Sequence, residues 1–70
     1  MMIDAYIERA ELLAKRAKEL RIKLDNELEQ LQKYSSVETR EERILRNAFI
    51  CVSNACDELG FALDHLVKLK

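Results

Sequence analysis

Proline is absent and glycine occurs once, at Gly60, so almost nothing in this sequence obliges a helix to stop. Tryptophan is absent as well, and two tyrosines and two phenylalanines supply all the aromatic surface. With one histidine, His65, two cysteines and no glycine-rich loop, the chain has neither a nucleophile beside a base nor a phosphate cradle. No catalytic residue, cofactor, metal or small-molecule substrate is expected. Charge of one sign is missing too: charged residues make up 36% of the chain, yet they nearly cancel to a net charge of -1. That balance argues against a strong general binder of nucleic acid or of membrane surfaces. The opening MMIDAYIERAELL carries Asp4 and Glu8 and no unbroken apolar run, so it reads as neither signal peptide nor anchor, and a cytoplasmic location is the default expectation. Cys51 and Cys56 stand five apart, which suits neither a disulfide between them nor a CxxC motif. They read as small apolar thiols in a reducing compartment, with one disulfide across a symmetric dimer as the alternative.

What is present is helix. From Ile44 to Leu69, Leu45, Ala48, Val52, Ala55, Leu59, Ala62, Leu66 and Leu69 recur at alternating spacings of three and four. Labelled as heptads, Leu45, Val52, Leu59 and Leu66 take a, and the other four take d. Ile44 and Cys51 fall at g, Phe49, Cys56 and Leu63 at e, and Ile50, Phe61 and Val67 on the outer side. The apolar arc is therefore wider than the roughly 100° of an ordinary surface helix. It is not a membrane span, because Asn47, Asn54, Asp57, Glu58, Asp64 and His65 interrupt it.

The preceding segment carries a matching stripe, Ile3, Tyr6, Ala10, Leu13, Ala17, Leu20, Leu24, Leu31 and Tyr34. Glu27 occupies a d position and Leu28, at e, takes over its role, while Ile7 and Ala14 widen the stripe on the e side. The opposite side is charged, with Glu11 to Lys15 and Glu19 to Lys23 as favourable i,i+4 pairs. Between Lys33 and Arg43 the pattern fails. Ser35 with Glu38, or Thr39 with Glu42, can each form a capping box there. The chain thus reads as one domain, residues 1–70: a first helix over about 2–34, a turn at about Ser35 to Val37, and a second helix over about 38–69. An unbroken helix remains the alternative, because the heptad phase runs on from Ile3 to Leu45.

The fold class that follows is all-α, an antiparallel helical hairpin. With its turn at Ser36, residues whose numbers sum to about 72 face one another, so that Ala10 meets Ala62, Ala17 meets Ala55, Leu13 meets Leu59 and Leu20 meets Val52. Two helices of about 32 residues make a rod roughly 50 Å long. A rod of two helices has almost no interior, and seventy residues bury only a small core in any case. The expected remedy is a two-fold dimer, an antiparallel four-helix bundle, with Phe49, Ile50, Cys56, Phe61 and Leu63 as the surface for that copy or for another protein.

Hairpin size and the alternation of small and large layers resemble the plasmid copy-number RNA-binding proteins, and the small helical co-chaperones of type III secretion have a similar architecture. DELGFALDHLV looks like the second metal-binding helix of the all-helical nucleotide pyrophosphohydrolases, although Phe61 stands where that family has an aspartate. Asp57, Glu58 and Asp64 read as a solvated acidic edge, and His65 as a charge placed well at a helix C-terminus. The basic run AKRAKELRIK offers Lys15, Arg16, Lys18, Arg21 and Lys23 for phosphate contacts, but around a helix these point in different directions and Glu19 lies among them. The functional expectation is a non-enzymatic protein-interaction or regulatory module, adaptor or chaperone-like, working as a homo-oligomer. The alternative is a dimer binding RNA or DNA through the basic stretch.

Overall fold

The computed structural model describes residues 2–34 and 37–69, apart from the Tyr34 side chain. Two helices make up the fold, α1 over Ile3–Tyr34 and α2 over Arg40–Val67, and they pack against each other as a hairpin. The continuous heptad phase therefore does not produce one long helix. The expected turn at Ser35 to Val37 lies partly outside the described residues, since Ser35 and Ser36 are among those not described.

The second helix starts at the later of the two candidate caps. Thr39 is extended, with φ -88° and ψ 168°, and its Oγ1 accepts a hydrogen bond from the Glu42 backbone N–H at 3.1 Å. The Thr39 carbonyl meanwhile accepts from the Arg43 N–H at 3.1 Å, which closes the first turn. One of the unpaired donors of a helix start is thus satisfied by the side chain that the capping pattern singles out. Glu41 and Glu42 add negative charge at the positive end of the helix dipole. At the far end, the Leu69 N–H donates to the Leu66 carbonyl at 3.1 Å, a tighter turn that ends the helix.

The result is a rod of 53 × 13 × 12 Å. Its radius of gyration, 16.0 Å, compares with about 11 Å for a compact domain of this length. In so thin a body little is out of reach of water. Among the described residues the buried apolar side chains are Ile7, Ala10 and Leu28, and none of the large ones is fully buried.

The seam between the helices differs from the expected one. On α1 the side chains turned inward are Ile3, Ile7, Ala10, Ala14, Ala17, Arg21, Leu24, Leu28 and Leu31. On α2 they are Glu42, Leu45, Phe49, Val52, Cys56, Leu59, Leu63 and Leu66. Both helices thus face each other through a and e, where a and d were expected. Tyr6, Leu13, Leu20 and Leu69 stand outside, as do Ala55 and Ala62. The cause is side-chain size and charge. On α2 the e positions hold Phe49 and Leu63 while d holds Glu41 and then Ala48, Ala55 and Ala62, so the a/e seam covers more apolar area. On α1 it takes in Leu28 and leaves Glu27 in water.

Candidate interaction surface

Because the seam uses a and e, each helix presents d and g on one flank and b and f on the other. Seen end-on, two antiparallel helices run round their axes in opposite senses, so the same flank of each turns toward the same broad face of the rod. One face therefore carries the d rows of both helices. From α1 it shows Tyr6, Leu13 and Leu20, which are 57%, 53% and 48% exposed. From α2 it shows Ala48, Ala55 and Ala62, with Leu69 beyond them. Glu27 continues the α1 row and Glu41 opens the α2 row, both exposed, so charge enters this face toward the turn; elsewhere it lies at the margins, where Arg9, Arg16 and Lys23 line the outer edge of α1 and Glu58 and His65 that of α2.

The other broad face is different in kind. Its α1 half is Asp4, Glu8, Glu11, Lys15, Lys18, Asp25 and Glu29 with Ile22 among them, and its α2 half includes Arg43, Arg46, Asp57 and Asp64 with Ile50. Near the turn, Arg46 reaches Glu38 at 3.0 Å and Glu42 at 3.4 Å. Glu42 is buried, and Arg46 is its ion-pair partner one turn along the helix. The contact with Glu38 is exposed on both sides and contributes no more than about 1 kcal/mol.

A small cleft of about 130 Å³ opens where Arg21, Ile22 and Asp25 of α1 meet Phe49 of α2. Arg21 lies partly in the seam, and its Nε is buried without a hydrogen-bond partner. The Ser53 hydroxyl is in the same condition. Arginine can bury its stem while its head reaches water, which makes the position tolerable. Sequence reasoning placed Arg21 with the solvent-facing basic residues. The signal that could have placed it is spacing, since Arg21 continues the seven-residue series of Ile7, Ala14 and Leu28.

The surface residues expected from sequence are thus divided. Phe49, Cys56 and Leu63 are half-buried in the hairpin, while Ile50 and Phe61 are 50% and 59% exposed. Ile50 lies on the charged face and Phe61 on the outer side of α2, away from α1. The expected basic set is divided as well. Lys15, Arg16, Lys18 and Lys23 are exposed, but Lys15 and Lys18 belong to the charged face while Arg16 and Lys23 edge the apolar one. Cys51 is exposed and both cysteines are free. Among the described residues, no three His, Cys, Asp or Glu side chains are grouped to hold a metal ion. Among them, too, no helix is long and apolar enough to cross a membrane. Comparison of the chain with protein-family models, with curated proteins and with solved structures finds no match.

Proposed function

We propose that this chain is a non-enzymatic interaction module, an adaptor or chaperone-like regulatory subunit, that works in the cytoplasm as a self-associating helical hairpin. One observation carries the reading: the hairpin leaves many of its large apolar side chains in water. Its accessible surface is 5779 Å², against about 4,500 Å² for a compact monomer of this mass. Twelve large hydrophobic side chains are exposed among the described residues, and on the face bearing Leu13 and Leu20 several are contiguous. Two such hairpins in contact make an antiparallel four-helix bundle, with a core that neither has alone. Ile50 and Phe61, on other sides of α2, then remain for a different protein. Light scattering on a sizing column, across a wide concentration range, tests the reading directly. A mass of two chains or more supports it, and a monodisperse, soluble monomer at every concentration sinks it.

A second reading, a dimer that binds RNA or DNA, draws support from the exposed row Arg9, Arg16 and Lys23. Binding through such a row depends on salt, because each phosphate contact releases counterions. Retention on nucleic acid at low salt, lost with Lys15→Glu and Arg16→Glu together, is its test. No retention at low salt removes it.

A further inference from the structure

The apolar face has a ridge and a trough side by side. Tyr6, Leu13 and Leu20 rise along α1, and Ala48, Ala55 and Ala62 form a low row along α2. A second copy can be laid on this face by two kinds of two-fold rotation. An axis across the rod sets α1 on α1 and α2 on α2, so that ridge meets ridge and trough meets trough. An axis along the rod sets α1 of each copy on α2 of the other, so that each ridge enters a trough. Close packing needs the second arrangement, since leucine against leucine holds the copies apart while alanine against alanine leaves a gap.

Charge selects the same arrangement. The crosswise axis sets the row Arg9, Arg16 and Lys23 against its own copy, and like charges so placed repel. The lengthwise axis keeps every residue at its own height on the rod, so the hairpin register of about 72 applies between copies as well. Arg9 and Arg16 then flank Glu58 of the facing helix, since their numbers add to 67 and 74 with it. Area agrees too. The whole rod exposes about 1,300 Å² more than a compact monomer, on all its sides together, and a stable interface removes about 800 Å² from each partner.

The geometry points to a homodimer in which this face covers its own copy about a two-fold axis along the rod, α1 of each chain seated on α2 of the other. The inference rests on the self-association proposed above and goes further, fixing the face and the pairing. It leaves Cys51 and its copy on diagonal helices, where no disulfide joins them.

Cross-linking separates the possibilities. In a Cys51→Ser, Cys56→Ser background, one chain carries Leu20→Cys and another Ala55→Cys, and the two are examined separately and after mixing through an unfolding and refolding cycle. Light scattering first establishes the mass of each sample, and a short bismaleimide is then added. A dimer that cross-links several-fold more in the mixture than in either chain alone is the expected result. Strong cross-linking of each chain by itself overturns the pairing and favours the crosswise axis, which gathers the two basic rows into one strip suited to nucleic acid. A dimer with no cross-link in any sample overturns the choice of face while leaving self-association intact. A monomer of the background protein removes both. Should either substitution unfold the chain, Leu13→Cys with Ala62→Cys tests the lengthwise pairing one heptad away, again as a cross-link found in the mixture.

Discussion

The two broad faces of the hairpin are built from the same helices at the same heptad spacing, yet one is apolar over the part away from the turn and the other carries charge along most of its length. On the first, the α1 row reads Tyr6, Leu13, Leu20 before it reaches Glu27; on the second, the corresponding row reads Asp4, Glu11, Lys18, Asp25. Solubility alone asks for charge on both faces of a free rod. The proposed dimer draws on this contrast: the a/e seam would be one half of its packing and the d side the other. Ile22 and Ile50 on the charged face do not undo it, because isolated surface hydrophobes are ordinary.

The strongest way to break the comparison is to charge one face at a time. Ala55→Arg places a cation in the trough, where docking of a copy would bury it at a cost of several kcal/mol. The expected outcome is loss of the dimer, read as a fall in mass to one chain at concentrations where the parent is two. Ile50→Arg adds the same group to the charged face and should leave the mass unchanged. Equal effects of the two would show that the faces do not differ in function.

Leu28→Ala tests the seam instead of the faces. Leu28 is 7% exposed, among the most covered side chains described, and truncation of a buried leucine costs about 2 to 5 kcal/mol. Chemical denaturation should show a loss in that range, with the dimer weakened only as far as the hairpin itself unfolds. In contrast, Leu20→Ala should cost the isolated hairpin little and the dimer more, because its side chain is 48% exposed.

How much of this was legible in the sequence follows from the same heptads. Helix content and the hairpin were readable, and Thr39 with Glu42 was one of two candidate starts, since each rests on local pattern: no proline, a three-four repeat, a cap followed by a glutamate. The identity of the seam was not. Alternation of a with d and of a with e has the same period, and both stripes are apolar here, so periodicity cannot choose between them. Two local signs favoured e: Glu27 at d beside Leu28 at e, and alanine at d opposed to Phe49 and Leu63 at e on the second helix. Arg21 obscured them, because a charged residue at e reads as solvent-facing until its stem is seen lying in the seam. The candidate surface moved with the seam. With d inward, Phe49, Cys56 and Leu63 fall outward; the exchange of those two rows covers them in part and brings Leu13, Leu20, Ala55 and Ala62 to the surface.

A smaller effect sharpens the comparison at the margins. Arg16 edges the apolar face and Lys15 belongs to the charged one, though they are neighbours in sequence. In the lengthwise dimer Arg16 lies near the partner's Glu58, and a partly exposed pair of this kind is worth about 0.2 to 1 kcal/mol. Arg16→Glu should therefore weaken the dimer by a few-fold, more at low salt than at high, and Lys15→Glu should not. Dilution series followed by light scattering at two salt concentrations measure both.

The smallest effect reads the charged face from its one glycine. Gly60 lies on the b flank of α2, exposed, and a Cβ placed there meets nothing within 4 Å. Glycine inside a helix costs about 0.5 to 1 kcal/mol relative to alanine, so Gly60→Ala should stabilise the hairpin by about that amount and raise Tm by several degrees. The direction matters more than the size. If the charged face is open to solvent in the working protein, the added methyl group finds room and the mass stays at two chains. A glycine retained for close approach behaves in the opposite way: Gly60→Ala then lowers the mass or the melting temperature, because the methyl group meets the copy or partner seated there. That result would place the docking surface on the charged side and make the apolar ridge of Leu13 and Leu20 the face in need of another explanation.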